Sequence, residues 1–482
     1  MIDAVELARQ VRSRERSPVE IVEESIRTIE ALDPELNAVI HPRFEKAREE
    51  VRAPTTGPLA GVPIVLKDAS ITQAGEPWHE GLQAAKAARY VARTTSFLTQ
   101  RLIDAGCVIL GRTNVPELCT YATTEPLAYG ATRNPWHRDY SAGGSSGGSG
   151  AAVGAGMVPI AHGSDGGGSV RVPAALCGVL GLKPTRGRLA TGPEIGEHWA
   201  GLSTDGFLAR SVRDLAAVFD AVGGSHPSDP WQMPHGSAIS PTLDTPLPRL
   251  RIGLRTRGAC GGDPAHPLVD SITRGVALRL EEEGHLVEES SPAALDEEEG
   301  VGQQGIVVAA CLAAELAAWS RRLGRAIAIE ELEPRNRMTV LAGRASTGLQ
   351  VIEARESLFA WSRRLTGWFD DFDLLLTPVL AQPSICLGEL PVDPSPHDLD
   401  RMRRRLGWLP GAWNVTGQPA ISVPAGRTPE GLPIGIQLVA AWGREDLLLR
   451  VARLLEQLQP WEIRASSSAP NSIDAARGRV GK

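Results

Sequence analysis

Two glycine-flanked serines, Ser145 in GGSSGGSG and Ser169 in GGGSVR, stand 24 positions apart with the small-residue segment AAVGAGMVPIA between them. A flexible linker would not be followed at once by a segment that reads as a tightly packed helix running into a strand. The pattern is that of two tight turns around a buried element, each turn presenting a hydroxyl beside backbone N–H groups. Gly166, Gly167 and Gly168 let the chain turn sharply before Ser169, so the N–H groups of residues 166–169 can converge on one point. A carbonyl oxygen turning into an oxyanion needs such donors, each worth about 3 kcal/mol. Upstream, Lys67 closes the apolar run VPIVL in a chain with five lysines against 45 arginines. Arginine does not deprotonate in proteins, whereas a desolvated lysine becomes a neutral base. Lys67 is therefore expected at a strand end with its amine partly buried, and a surface lysine closing a strand is the alternative. Serine with lysine as base is the chemistry of a hydrolase that attacks carbonyls.

Other readings of the same residues are weaker. The glycine-serine stretch has no terminal Lys-Ser/Thr of a Walker loop and no GxGxxG. Val170-Arg171 follows Ser169, so the G-x-S-x-G elbow is missing, and His162 lies in a strand-like run that suits a core or strand-end histidine. Asp165 and Arg171 flank the Ser169 turn and either hold it or form a surface pair. Lys183, before a Pro-Thr turn in GLKPTRGR, reads as structural.

The elements that must position these groups alternate between strand and helix. Ser17-Pro18-Val19-Glu20 supplies an N-cap, an N1 proline and a capping-box glutamate for a helix over 18–32, with Val19, Val22, Ile26 and Ile29 on one face and Asp33-Pro34 as its end. Strands are predicted at 62–66, in CVILGRTN, at 157–162, in LRIGLRT, DLLLTPVL and IGIQLVAA. Helices are predicted at 95–106, 211–223, 266–284, over most of 304–366 and at 444–457. The alternation predicts an α/β fold with a mixed sheet. The segment from Gly224 to Leu250 reads as a surface excursion. At 482 residues two domains would be the default. A net charge of −7 favours neither nucleic acid nor an anionic membrane surface, and no unbroken apolar run reaches the roughly 18 residues of a membrane span. Six cysteines without a CxxC pair suit reduced thiols in a cytoplasm and give no disulfide framework or zinc site. The N-terminus lacks a secretory h-region.

GGSSGGSGAAVGAG, GSDGGGSVRVPAALCGVLGLKPTRGR and GPLAGVPIVLKD resemble the signature blocks of the amidase signature family, hydrolases of amide C–N bonds with some members acting on esters or carbamates. GRTNVPEL, GATRNPW, FDLLLTPV, WNVTGQPAISVP and LPIGIQLVA match further blocks, so the likeness runs from about Ile2 to Trp461. It implies an amidase signature fold, a twisted mixed sheet covered by helices on both faces, as one domain over 1–465 with a helical, variable excursion at about 224–366; the residues 466–482 lack a core pattern and read as a disordered tail. It implies a Ser–cis-Ser–Lys triad: Ser169 as nucleophile, Ser145 as the bridging serine behind a cis peptide bond, Lys67 as base. The oxyanion hole would be the amides of Gly166, Gly167, Gly168 and Ser169, with Ser146, Asp165 and Arg171 in support. The chain departs from the commoner pattern at Gly166, where a Thr or Ile often stands. The loop CTYATTEP offers Cys119, Thr120 and Tyr121 to substrate, and Cys311 in VVAACLAAELAAW is either a further contact or a small core residue. The phrasing around TTEP…GATRNPW and Cys311 is most similar to the branch of 6-aminohexanoate cyclic-dimer (nylon-oligomer) hydrolases. Expected substrates are small linear or cyclic amides, with carbamates (urethanes) or esters as the alternative. An amidotransferase subunit or a non-catalytic binding protein would be the readings from other classes. No metal or organic cofactor is implied, and a cytoplasmic homodimer is the expected assembly.

Overall fold

Every residue of Pro63–Lys67 is buried, and alternate residues of this strand go to different cores. Ile64 and Leu66 pack into one large apolar cluster, Val65 into another. Strand side chains alternate sides, so Lys67 shares the face of Val65, the face on which the glycine-rich helix Gly147–Gly154 lies.

The computed structural model describes residues 2–461 apart from 235, 261 and 408. The tail expected at 466–482 lies outside the described residues. Eleven strands form one mixed sheet: β1 (Val39–Pro42), β2 (Pro63–Lys67), β3 (Val108–Thr113), β4 (Ile160–Asp165), β5 (Leu180–Lys183), β6 (Thr204–Ala209), β7 (Arg251–Leu254), β8 (Leu286–Glu289), β9 (Leu374–Pro378), β10 (Ala420–Arg427) and β11 (Pro433–Ala440). Their order across the sheet is β1-β3-β2-β4-β6-β5-β10-β11-β9-β7-β8. β2 is parallel to β3 and β4, and β7 to β8 and β9, while β4–β6–β5–β10–β11–β9 run antiparallel in sequence. Helices Phe97–Asp104, Val212–Val222 and Glu445–Leu458 bury leucines and valines on one face. Helices Pro18–Leu36, Gly147–Gly154 and Arg171–Cys177 cover the other. The mixed α/β sheet covered on both faces agrees with the expected fold class.

Several expected boundaries move. The first long helix runs through Pro34 to Leu36, because Asn37 closes it in the left-handed conformation, and the Asp33 carboxylate accepts from the amides of Ala38 and Val39 at 2.7 and 3.1 Å. Val19 is exposed, so the buried face of that helix is Ile21, Val22, Ile26 and Ile29. The strand expected at 157–162 instead spans Ile160–Asp165, which carries it straight into the Ser169 turn. Within 224–250 the chain is irregular, yet Ile239 and Leu243 are anchored in the core, and β7 and β8 extend one edge of the sheet. The helix Glu299–Leu323 is long and apolar enough to cross a membrane by length and composition. Glu315 and the Gln303-Gln304 pair interrupt its apolar run, so a search for an unbroken run passes it over. It packs against helices Pro334–Ala345 and Gly348–Thr366.

Candidate active site

The carboxyl ends of parallel strands β2 and β4 lie side by side, a place where α/β sheets commonly bind ligands. β2 delivers Lys67 and β4 delivers Ser164 and Asp165. Between β3 and β4 the chain passes through Ser145 and Ser146 into helix Gly147–Gly154. Glycine is required there by close approach: a Cβ on Gly148 would stand 2.4 Å from the backbone nitrogen of Asn114. The helix therefore lies tight on the sheet and holds Ser145 over Lys67. The Gly144–Ser145 peptide is cis, as the family likeness implied.

Lys67 is fully buried, which removes the surface alternative. Its Nζ lies 2.7 Å from Ser145 Oγ, 2.9 Å from Ser164 Oγ and 3.2 Å from the Ser164 carbonyl oxygen. Burial lowers its pKa, against the opposing pull of Cys119, Asp165, Asp205 and Glu80. Lys67 Nζ donates to Ser145 Oγ and to both Ser164 oxygens; once the amine is neutral, two N–H groups serve the Ser164 oxygens and the lone pair faces the Ser145 hydroxyl. Ser146 backs this arrangement, its Oγ donating to the Ser164 carbonyl and accepting from the Ser164 amide, each at 3.3 Å. The Ser146 amide donates to the Ser169 carbonyl at 3.1 Å, tying the two serine turns together.

Ser169 is half-buried and lines the same cavity as Ser145 and Ser164. The turn that carries it is held by a buried ion pair, not a surface one. Arg171 Nε and Nη2 donate to the two Asp165 oxygens at 2.9 and 2.7 Å, and both side chains are fully buried. Burial alone would raise the Asp165 pKa, but the Arg171 guanidinium holds it well below the usual carboxylate range. Asp165 accepts from the amides of Gly168, Val170 and Arg171 at 2.7, 3.1 and 3.4 Å. That corrects one expectation: the Gly168 amide is engaged by Asp165 Oδ1 and so is turned to the carboxylate. The Asp165 carboxylate takes none of the other three expected oxyanion amides, those of Gly166, Gly167 and Ser169.

Sequence reasoning missed the groups that complete this clamp. Asn414 accepts from Arg171 Nη2 at 2.8 Å and donates to the Asp165 carbonyl and carboxylate at 2.6 and 3.0 Å. Gln437 on β11 accepts from Arg171 Nη1 at 2.6 Å. Both sit in segments singled out as blocks, WNVTGQPA and IGIQLVA, and a polar residue inside the apolar IGIQLVA run was the available signal. Ser164 was the third, hidden inside a strand. His162 is a core residue, its Nε2 3.1 Å from Asp205 Oδ1, and Lys183 donates to the Pro184 carbonyl at 3.0 Å without reaching the cavity.

Two arms open from Ser169. The larger, about 1100 Å³ including its mouth, is lined by Tyr121, Val172, Val308, Leu380, Met402 and Pro410, with Cys119, Thr120, Gln304 and Arg403 among its polar groups. The smaller passes Ser70, Glu80, Cys119, His198, Ser203 and Glu315. Trp199 and Gly166 border both. A Cβ on Gly166 would meet the Trp199 ring at 2.9 Å, so the indole fills the space a side chain at 166 would take. Burial pushes the Cys119 thiol up to about 12, which leaves it protonated at neutral pH. Cys311 is half-buried one turn before Glu315 on the same helix and borders neither arm. Among the described residues no group of three His, Cys, Asp or Glu could hold a metal ion.

The sequence pattern of the amidase family matches residues 20–449. The chain is 39% identical over 479 residues to the 6-aminohexanoate-cyclic-dimer hydrolase of Paenarthrobacter ureafaciens, covering 96% of each chain. A solved structure of 6-aminohexanoate cyclic dimer hydrolase with substrate superimposes with a TM-score of 0.93 at 38% identity, over 97% of this chain and 98% of that one. A bacterial aryl acylamidase of the amidase signature family matches with a TM-score of 0.86 at 28% identity, over 95% and 96%.

Proposed function

The chain belongs to the amidase signature family and is an amide C–N hydrolase, and from that premise we propose that Ser169 is its nucleophile, Ser145 the proton bridge and Lys67 the base. The observation that carries the assignment is the buried Lys67 amine, 2.7 Å from a serine that shares its cavity with Ser169. Neutral Lys67 takes the Ser145 hydroxyl proton as Ser145 takes that of Ser169. The freed Ser169 Oγ adds to the substrate carbonyl carbon. The amides of Gly166, Gly167 and Ser169 receive the oxyanion. Collapse breaks the C–N bond, and the departing amine carries away the proton returned through Ser145. Water, deprotonated by the same relay, then cleaves the acyl ester and frees the acid.

Small linear and cyclic aliphatic amides of the 6-aminohexanoate type are the substrates this reading favours, given the relatives named for that cyclic dimer and the apolar larger arm. Cys119, Thr120 and Tyr121 would contact them, whereas Cys311, which borders neither arm, would not. An aryl carbamate presents the same carbonyl to the relay. The reading takes 1–465 as one catalytic domain in a cytoplasmic homodimer; the six cysteines form no disulfide among the described residues, as a reducing compartment would keep them. Incubating wild type and Ser169→Ala with cyclic and linear 6-aminohexanoate dimers, an aryl amide, a fatty amide and an aryl carbamate tests it. Amine release by wild type alone is expected. Equal release by both proteins, or failure of a sulfonyl fluoride to label Ser169, would overturn it.

A further inference from the structure

The smaller arm contains two carboxyl groups that the relay does not use. Glu80 is 3% exposed and Glu315 half-buried, and both border the cavity that holds Ser145 and Ser169. The two carboxyls lie within reach of a shared proton, so the pair resists carrying two negative charges at once. Burial first, and then the neighbouring Glu80, raise the Glu315 pKa well above the ordinary value.

Glu80 is held deliberately. Its amide donates to Asp68 Oδ2 at 3.1 Å, directly after the catalytic-lysine candidate in sequence, and its Oε2 accepts from Trp319 Nε1 at 2.8 Å. Among the described residues neither lysine nor arginine lines the arm, and Trp199 also hydrogen-bonds the Glu315 carboxyl. Arg322, which acts on Glu315 through space, stacks on the rings of Trp78 and Trp319 at 4.6 and 5.1 Å. In the same arm the buried Nε2 of His198 has no hydrogen-bond partner among the described residues. A buried acidic pair at the wall of a substrate cavity that no cation lines favours an occupant that brings positive charge and N–H donors. The larger arm is mostly apolar and carries Arg403, so the two arms differ in sign as well as in size.

We propose that Glu80 and Glu315 form a cation-selecting subsite that takes a primary ammonium group carried by the amide substrate. The proposal rests on the reading of this cavity as an amidase site. It narrows the substrate class to amides with a free amino end, such as linear ω-aminoacyl chains, which seat the ammonium in the acidic arm and the rest in the apolar one.

The test compares anilides whose acyl chains have equal length and end in an ammonium, a methyl, a carboxamide or a carboxylate group. Wild type should hydrolyse the ammonium-ended anilides with a kcat/KM at least about tenfold above that for the methyl-ended ones, the size expected of a charge-assisted hydrogen bond. Glu315→Gln and Glu80→Gln should bring that ratio toward one. A wild-type ratio of one or below, a preference for the carboxamide end, or a ratio unchanged in both variants would overturn the subsite. Aniline release from the methyl-ended substrates by wild type and not by Ser169→Ala reads the amidase assignment separately. A second measurement needs no variant and no turnover. Alkylammonium ions should protect wild-type Ser169 from phenylmethylsulfonyl fluoride better than alcohols of the same length, and equal protection would refute the proposal.

Discussion

Replacing Arg171 by methionine should cost about 3–5 kcal/mol at pH 7.5, the range for removing one partner of a buried ion pair. Arg171 is fully buried, and the replacement removes two bonds to Asp165 and one each to Asn414, Gln437 and the Pro410 carbonyl. Asp165 is then left charged with only amide donors around it. The pH dependence gives the sharper test. In wild type the folded Asp165 pKa lies below the ordinary 3.8, so its stabilisation is complete above that value and is lost as pH falls through the folded one. In Arg171→Met, burial without the guanidinium puts the folded pKa above the unfolded one, so stability rises as pH falls through that interval. Urea unfolding followed by tryptophan fluorescence at pH 7.5 and pH 5 should show the gap between variant and wild type narrowing with acid. Asp165→Asn in the Arg171→Met background should recover more than about 1 kcal/mol at pH 7.5, since contacting residues couple on that scale. A gap that is absent at pH 7.5, or that widens toward pH 5, would refute the buried-pair reasoning.

Lys67→Met should lower amidase activity by about three orders of magnitude, the middle of the range for a lost general base, with folding intact because a buried amine gives way to an apolar chain. Wild-type activity should rise with pH as Lys67 loses its proton, with a midpoint below the ordinary lysine value of 10.5; a flat profile would contradict the lysine base. Ser164→Ala leaves one Lys67 N–H without its 2.9 Å acceptor and should reduce kcat about tenfold, the scale of an unsatisfied buried donor, as read from steady-state rates on an aryl amide. Gly166→Thr should raise KM through collision with the Trp199 ring 2.9 Å away, and Trp199→Ala in the same chain should reverse part of that rise; additive losses would mean the indole does not fill that space.

The chemistry of the site was legible where residue type alone restricts what a position can do. A lysine kept in an arginine-rich chain, and serines preceded by glycines, marked the groups proposed for proton transfer, and the sharp turns, before any fold was known. The mixed sheet was legible from apolar runs of strand length separated by helical periodicity. Ser164 was not, because a serine in a buried strand carries no periodic signal and its role depends on which strand lies beside it. Asn414 and Gln437 reach Arg171 from more than 240 residues away, and nothing in a linear reading pairs them with it. The Gly168 amide was assigned to the oxyanion because glycine count fixes how sharply a chain turns and not which way each N–H points. The partition of helix Glu299–Leu323 into a wall of the cavity is likewise a property of packing.

The distant anchoring of Arg171 also sets when the enzyme can become active during its own synthesis. Ser169, Ser145 and Lys67 all leave the ribosome in the first half of translation, but the guanidinium that sets the Ser169 turn waits for Asn414 and Gln437. At about 5–20 residues per second, Gln437 is made tens of seconds after Ser169. Until β11 takes its place between β10 and β9, the nascent chain carries a serine with no ordered turn to aim it. Fragments released early from the ribosome would therefore be inert toward amides, and the hydrolase is armed only when nearly the whole chain has been made.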